Sequence, residues 1–152
     1  MGWLSGLLVA SERVEILSDR FEADEVKRMT TFWGHVRMKK GRDELNASKV
    51  VVHFDAERRP TRYEASGGAK FRLYMKKGEQ LYTGRADRLI YEPAKGRYEL
   101  VGGVVLNEPN LSRTLKGERV TVDRVSGKAS VEGEGDKPVK FIFKVDDDGA
   151  HR

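Results

Sequence analysis

The chain contains no cysteine, and this absence removes three chemistries at once. A disulfide framework, a zinc site with cysteine ligands and a thiol nucleophile are all excluded, although the cellular compartment is not fixed by it. Histidine is also scarce, because only His35, His53 and His151 are present and each stands alone. No nucleophile–base–acid arrangement, zinc spacing or phosphate-binding loop accompanies them. We therefore expect a protein that is not an enzyme and that uses no metal or cofactor.

Long apolar runs are missing as well, so no segment predicts a helix that spans a membrane. Residues 1–11 are mildly apolar but too short to cross a bilayer, and they lack the basic start of a secretory signal. Because Val9-Ala10-Ser11 resembles a cleavage site, we interpret 1–11 as a leader or the remnant of a truncated signal peptide. Residues 146–152 are interpreted as an acidic, flexible tail. One domain, 12–145, lies between these segments.

Charged residues make up 35% of the chain, and the formal net charge is +5. A basic surface suits acidic partners in general, whether nucleic acid, anionic lipid or acidic protein. Nucleic acid is the weakest of these candidates, since Phe54, Phe71 and Tyr91 fall on the apolar side of their strands rather than standing free for base stacking. We expect no nucleic-acid partner.

Helix signals are almost absent, and apolar residues recur instead with a period of two. The stretch KVVVHF, for example, places Val50, Val52 and Phe54 on one face. Glycine, proline and asparagine mark turns between such runs at short, regular intervals. Because Ala47 has the opposite parity to Val50, a bulge is predicted near Ser48. The pattern as a whole indicates an antiparallel all-β domain.

Two short motifs alternate along the chain. The first is a mid-strand glycine with apolar residues two positions away, at Gly34, Gly67, Gly102 and, more weakly, Gly133. The second is a small residue, then polar residues, then an apolar residue, and it reads ADEV at 23, ASKV at 47, ADRL at 86 and GERV at 117. Each unit is a pair of strands that cannot bury its apolar face alone, so neighbouring units must stack. Bends at the recurring glycines would fold a long sheet over on itself.

The segment VEILSDRFEADEVKRMTTFWGHVRMKKGRDELNASKVVVHFD, residues 14–55, resembles the start of an OstA-like domain. In that family a strand with a small residue, Asp and a later apolar residue alternates with a strand reading Phe or Leu, any residue, Gly, any residue, Val. The resemblance covers residues 12 to about 144, with Gly117 where the motif has alanine. It implies an all-β, open, twisted antiparallel β-jellyroll, which is a folded-over sheet built from repeated strand pairs.

The resemblance also implies a function. The implied protein is a non-enzymatic periplasmic lipid carrier or bridge. It would shield lipopolysaccharide acyl chains in an apolar groove during transport from the inner to the outer membrane. The implied partners are lipopolysaccharide through its lipid A part, the inner-membrane component LptC and the outer-membrane component LptD. Strand-edge pairing, at 13–17 and 139–145, would join these partners and also copies of the chain, head to tail.

The groove residues follow from strand parity, because residues on one face of paired strands line a common surface. We expect lipid to contact Phe32, Val36, Met38, Val50, Val52, Phe54, Phe71, Leu89, Tyr91, Leu100, Val104, Leu106, Val120 and Val122. A closed, dry core made of the same residues is the structural alternative. The functional alternative is a structural or carbohydrate-binding β-repeat module without lipid transport, for which Trp33 is the one aromatic side chain placed to stack on a sugar.

Overall fold

The computed structural model describes residues 13–75 and 79–145, which form twelve strands and two short 3-10 turns, Pro93–Lys95 and Pro109–Leu111. The predicted leader, 1–11, and the predicted tail, 146–152, lie outside the described residues. No helix within the described ranges has the length and apolar character needed to span a membrane. The strands are β1 (Val14–Leu17), β2 (Arg20–Asp24), β3 (Met29–Lys40), β4 (Asp43–Phe54), β5 (Pro60–Ser66), β6 (Ala69–Met75), β7 (Gln80–Ala86), β8 (Arg88–Glu92), β9 (Arg97–Glu108), β10 (Arg113–Asp123), β11 (Ala129–Glu132) and β12 (Lys140–Phe143).

The long strands β3, β4, β9 and β10 each change pairing partners near their middle. β4, for instance, pairs β6 through its first half and β5 through its second half. The antiparallel ladder therefore divides into two layers. The first layer runs in the order β1, β3 (36–40), β4 (43–47), β6, β7, β9 (104–108), β10 (113–117), β12. The second layer runs in the order β2, β3 (29–33), β4 (49–54), β5, β8, β9 (97–101), β10 (119–123), β11.

The two layers join along one line of irregular positions, which we call the seam. It crosses the four long strands and passes through the breaks between β1 and β2, between β5 and β6, and between β7 and β8. It is formed by Asp19, Gly34-His35, Ser48, Gly67-Gly68, Asp87, Gly102-Gly103 and Glu118. The predicted irregularity at Ser48 is present, but the extra residues belong to the neighbouring strand. β3 places both Gly34 and His35 between the pairs that flank Ser48. Because the irregularity recurs at one level in successive strands, the whole sheet bends there.

Two of the seam glycines are required by the carboxylate side chains that press against them. Gly34 and Gly102 have φ angles of +81° and +86°, and a Cβ atom on either would lie 2.9 Å from the Cβ of Asp19 or Asp87. The backbone N–H of Asp19 donates to the Gly34 carbonyl at 3.0 Å, and that of Asp87 donates to the Gly102 carbonyl at 2.9 Å. The positive φ angle and the close approach both select glycine.

The middle copy of this contact uses a serine. The Ser48 hydroxyl donates to the Gly67 carbonyl at 2.8 Å, and a Cβ on Gly67 would lie 2.6 Å from the Ser48 Cβ. The pattern ends at the weak fourth copy, where a Cβ on Gly133 would meet the backbone of Lys137 and Pro138. The glycine motif and the small-residue motif are therefore the two sides of one contact, repeated three times.

The first copy of the small-residue motif was predicted at ADEV, which begins at residue 23. This assignment is wrong. Asp19 takes the position that matches Asp87, and its spacing to Gly34 equals the spacing from Asp87 to Gly102. Asp24 is instead the last residue of β2, and its Oδ1 accepts a hydrogen bond from the Lys27 backbone N–H in the following turn at 2.9 Å. ADEV matches the local pattern, but only the distance to the glycine identifies the residue that reaches the seam.

The core lies between the two layers, so the predicted folded-over antiparallel β-jellyroll is confirmed. Alternate residues of every central strand point into one buried cluster that draws on both layers. Leu106 and Val104 come from the first layer, while Leu100 and Val120 come from the second, and all four are buried. Each side chain of this size contributes roughly 1.5–3 kcal/mol on burial.

Replacing Gly102 by alanine tests the seam. We expect Gly102→Ala to lower the free energy of unfolding by at least about 3 kcal/mol, because the substitution adds a collision with Asp87 to the strain of a positive φ angle. Gly103→Ala is the matched control, since Gly103 also has a positive φ angle but nothing lies within 4 Å of its missing Cβ, and it should cost only about 1 kcal/mol. Urea unfolding measures the free energy of unfolding of both variants. Equal losses in the two variants would contradict the role assigned to the contact between Gly102 and Asp87.

Candidate functional site

The interior face between the layers carries the buried hydrophobic cluster of the described residues. All fourteen predicted groove residues lie on it. Phe32 and Phe54 are half-buried and pack against the cluster. The others are buried in it: Val36, Met38, Val50, Val52, Phe71, Leu89, Tyr91, Leu100, Val104, Leu106, Val120 and Val122. Whether any of them contacts lipid stays a prediction.

Several further residues of the interior face were missed from the sequence. They are Leu45, Ala47, Tyr63, Ala65, Ala69, Leu73, Met75, Tyr82, Ala86 and Tyr98. The signal for most of them was available, because Leu73 and Met75 continue the parity of Phe71, and Tyr98 lies two positions before Leu100. Tyrosine is intermediate between the buried and exposed residue types, so Tyr63, Tyr82 and Tyr98 mark core positions less clearly than Val, Leu or Phe do.

The interior is closely packed along its middle and apolar at both ends. The space left between the layers is a narrow pocket lined by Met38, Leu45 and Leu73 of the first layer and by tyrosines and Leu89 of the second. At the β1–β2 end, Phe21 stacks on Phe32 but remains 65% exposed. At the other end, Phe141 and Phe143 on β12 are 48% and 56% exposed. The apolar face therefore continues beyond the buried core at both ends.

Opposite the seam the two layers are linked by polar contacts, and we call this edge the mouth. The Tyr98 hydroxyl of the second layer donates to Oδ2 of Asp43 in the first layer at 3.3 Å. Asp43 Oδ1 also accepts the Tyr74 backbone N–H at 2.8 Å. The Tyr91 ring stacks on Tyr98 with centroids 4.4 Å apart, and Arg124 donates to the Tyr91 hydroxyl at 3.0 Å. We call Asp43, Tyr91, Tyr98 and Arg124 the clasp.

The clasp contains a buried carboxyl group, because Asp43 is only 7% exposed. Burial raises the pKa of Asp43 above its ordinary value, although the bond from Tyr74 and the charges of Arg124 and Lys40 oppose the rise. Burial also raises the pKa of Tyr98, and the Asp43 carboxylate acts in the same direction. A carboxyl whose pKa rises on folding binds its proton more tightly in the folded state, so its contribution to stability falls as the pH rises through that pKa.

A second contact crosses the mouth nearer to β12. The Tyr82 hydroxyl of the first layer donates to the Gly127 carbonyl in the turn between β10 and β11 at 3.2 Å. Gln80 donates to the Tyr82 hydroxyl at 2.9 Å, and Glu108 is paired with Arg113 at 2.5 Å. Burial raises the pKa of Tyr82, with Glu108 acting in the same direction. Tyr82 therefore remains a neutral donor at ordinary pH.

Near β2 the mouth widens into a recess. Ala23, Met29, Thr30 and Phe54 contribute to its walls, together with charged residues of the two adjoining turns. Phe54 owes its partial exposure to this recess. The recess joins the exposed apolar end of the interior to solvent.

The outward candidates for other chemistries already have intramolecular partners. The Arg20 guanidinium lies 4.7 Å from the centroid of the Trp33 ring and covers it, so that face of the ring is not free for a sugar. His35 Nδ1 lies 2.8 Å from Asp19 Oδ2 at the exposed seam. His53 Nε2 lies 3.5 Å from Glu64. These contacts are surface pairs of the folded sheet.

Comparison with known families assigns the chain to a class. The family model described as LptA/(LptD N-terminal domain) LPS transport protein matches residues 15–128, well over half of the chain. The chain belongs to this family. The predicted OstA-like resemblance is confirmed, and the domain is LptA-like. No curated protein matches the chain.

A solved structure matches the fold over nearly its whole length. It is LptH from Pseudomonas aeruginosa, described as the LptA-homologous periplasmic component of the lipopolysaccharide transport device. The match has a TM-score of 0.78 and covers 88% of this chain and 96% of that chain, at 13% sequence identity. At this identity the likeness establishes the shared β-jellyroll. The family and the neighbour are both described as transport proteins, and neither description names a catalytic activity.

Substitutions in the clasp test its electrostatics. Asp43→Asn keeps an oxygen for the Tyr74 N–H but removes the buried charge, so we expect it to be at least as stable as the wild type at pH 7. The advantage should shrink as the pH falls through the raised pKa of Asp43, because the wild-type carboxyl then becomes neutral too. Urea unfolding between pH 4 and pH 7 measures the difference.

Tyr98→Phe is the companion variant. It leaves the buried Asp43 oxygen without its cross-layer donor and should lower the free energy of unfolding by about 1–3 kcal/mol at pH 7. An Asp43→Asn protein clearly less stable than the wild type at pH 7 would show that the charge itself supports the fold.

Proposed function

We propose that this chain is a non-enzymatic periplasmic carrier that shields lipopolysaccharide acyl chains between its layers during transport from the inner to the outer membrane. The observation that carries the proposal is the single apolar face that continues through both layers, from Phe21 at one end to Phe143 at the other. Membership of the LPS transport family supports lipopolysaccharide as the cargo. The description of LptH as a periplasmic component supports the compartment.

Shielding is the physical task that such a cargo sets. Each methylene group costs about 0.8 kcal/mol to expose to water, so a lipid with several acyl chains does not cross an aqueous compartment alone. An apolar face that accepts the chains while the sugar head stays in water removes most of that cost. No bond is made or broken, and the carrier therefore needs no catalytic group.

Loading requires the layers to separate, because side chains already fill the middle of the interior. The seam joins the layers covalently through every long strand, whereas the mouth is held by the hydrogen bonds of Tyr98 to Asp43 and of Tyr82 to the Gly127 carbonyl. The mouth is therefore the edge that opens, and the acyl chains replace the contacts that the two inner faces lose to each other. Burial raises the pKa of Asp43, so the charge of this carboxylate opposes folding and reduces what the clasp contributes to closure of the mouth.

The phosphorylated head of the lipid would remain at the mouth. Lys40 lies on this edge, with its Nζ 5.8 Å from the centroid of the Tyr91 ring. Arg42 follows in the adjoining turn, and Arg124 belongs to the clasp itself. Exposed contacts between such cations and phosphate are weak one by one and sensitive to salt.

A photo-crosslinking amino acid placed in the interior tests the cargo site. We expect adducts with lipopolysaccharide from probes at Phe54 and Leu106, whose side chains face the interior, and none from probes at Val51 and Thr83, which lie on the outer faces of the two layers. Mass spectrometry of the labelled protein identifies the adduct. Tyr98→Phe should increase the rate of labelling at Leu106, because it removes the hydrogen bond across the mouth.

Two results would contradict the cargo site. Labelling confined to Val51 and Thr83 would place the lipid on the outside of the sheet. Absence of labelling at all four positions, in a protein that remains folded by circular dichroism, would favour a closed sandwich without cargo.

We further propose that copies join head to tail and that the same edges meet LptC and LptD. Among the described residues, β1 and β2 pair only with β3, and β11 and β12 pair only with β10, so both ends present open strand edges. Exposed apolar side chains accompany both edges, among them Phe21 and Phe143. Adding one end to the other would continue the ladders and the apolar face together.

The double variant Phe141→Ser/Phe143→Ser tests this joint. Both side chains extend the interior face at the last strand, and their loss should weaken self-association at least about tenfold. Ile142→Ser is the matched control on the opposite face of the same strand, and it should have a smaller effect. Sedimentation velocity over a range of concentrations measures both variants. Unchanged association of the folded double variant would show that this edge is not the joint.

A further inference from the structure

The outer face of the first layer carries a row of cations that the transport of acyl chains does not use. The seven strands of this layer from β3 to β12 are β3, β4, β6, β7, β9, β10 and β12. Their cross-strand register places one residue of each strand in a single line across the face. We call its five charged members the basic row: Arg37, Lys70, Arg85, Lys116 and Lys140. The two other positions in the line are Asn46 and Val105, so the row contains no acidic residue.

The basic row is exposed and unpaired. All five side chains are exposed, and none forms an ion pair with a carboxylate among residues 13–75 and 79–145. The row spans about 29 Å, since neighbouring strands lie about 4.8 Å apart. Adjacent cations are therefore no more than about 10 Å apart, close to the Debye length at 0.1 M salt, so their fields add.

The outer face of the second layer is different. Its corresponding line also contains cations, among them Lys49, Arg88 and Arg119, but the next line along these strands carries Glu64 and Glu99 and no cation. Arg88 pairs with Glu64 at 3.3 Å, and Arg119 pairs with Glu99. The line next to the basic row contains Glu44 as well, but there Lys39 and Arg72 flank it. The positive field is thus concentrated on one side of the molecule, although basic residues occur along the whole chain.

The position of the row separates it from the cargo site. Each member lies within a few residues of the seam, whereas the clasp and the mouth lie at the far ends of the same strands. A lipid head that emerges from the mouth would be on the opposite edge of the layer. The anion that the row attracts is therefore a different one, outside the folded sheet.

We propose that the basic row docks the protein, by charge alone, on a bilayer surface that contains anionic phospholipid. A protein partner would need an apolar or aromatic centre in its interface. Among the described residues, the exposed large apolar side chains of this face are Leu17 and Ile142 at the two ends of the row, and none lies between Arg37 and Lys116. Its one aromatic ring, Tyr74, is covered by Arg42 at 3.9 Å from the ring centroid. Flexible cations without an apolar centre match a fluid anionic surface, which demands no fixed geometry.

The inference does not depend on the proposed carrier function, because it rests on the outer face alone. A protein that binds anionic vesicles without taking up acyl chains would support docking and contradict the carrier. A protein that takes up acyl chains but ignores anionic vesicles would do the reverse.

Vesicle cosedimentation tests the proposal. The wild-type chain should bind vesicles of equal parts phosphatidylcholine and phosphatidylglycerol at low salt, lose binding as salt is raised, and ignore vesicles of phosphatidylcholine alone. Lys70→Gln/Arg85→Gln/Lys116→Gln should reduce the partition coefficient about 100-fold, at about fivefold for each cation near the surface. Lys49→Gln/Arg88→Gln/Arg119→Gln makes the same change in net charge on the other face and should reduce it far less.

Three outcomes would overturn the proposal. They are no binding to anionic vesicles at low salt, equal losses in the two triple variants, and binding of the wild type to polyglutamate in place of the vesicles. The last of these would assign the row to an acidic polypeptide. Because all six substituted side chains are exposed, circular dichroism should report an intact fold for both variants, so a loss of binding reports on the surface itself.

Discussion

The close approach of Asp19, Ser48 and Asp87 to three glycines is the contact on which the rest of this structure depends. Each contact bends the sheet at one level, and the bends coincide because the motifs recur at matching places in successive strands. A continuous sheet thereby becomes two layers that share their long strands. The interior, the mouth and the two outer faces all follow from the position of this line.

Strand parity made the interior face predictable from the sequence. A common face is predicted by pairs of apolar residues two positions apart, such as Val50 and Val52 or Val120 and Val122. This signal is local, because side chains alternate between the two faces of any extended strand. The seam was only half predictable. The glycines were evident, but their partners are reached through pairing between strands, and Asp24 satisfied the local motif as well as Asp19 did. Local pattern selects residue types, while register selects which of them meet.

The clasp and the basic row could not be predicted by the same means. Asp43 and Tyr98 are distant in sequence and belong to different layers, so their hydrogen bond depends on the fold angle at the seam. Arg37, Lys70 and Arg85 are ordinary exposed cations when taken one at a time. They become a row only because β3, β4, β6 and β7 pair in the observed register. Features assembled by long-range pairing carry no signature in a short stretch of sequence.

The buried carboxyl at the mouth sets the strongest constraint on what the fold is for. Burial of the Asp43 carboxylate opposes folding, but the same carboxylate satisfies the Tyr74 N–H and the Tyr98 hydroxyl, so the clasp combines a fixed geometry with an electrostatic cost. The chain keeps the charge at the one edge where the two layers are not joined covalently. In the proposed carrier, a link of this kind would hold the layers together when the interior is empty and release them when a ligand competes for the same apolar face. That balance suits a carrier better than a scaffold.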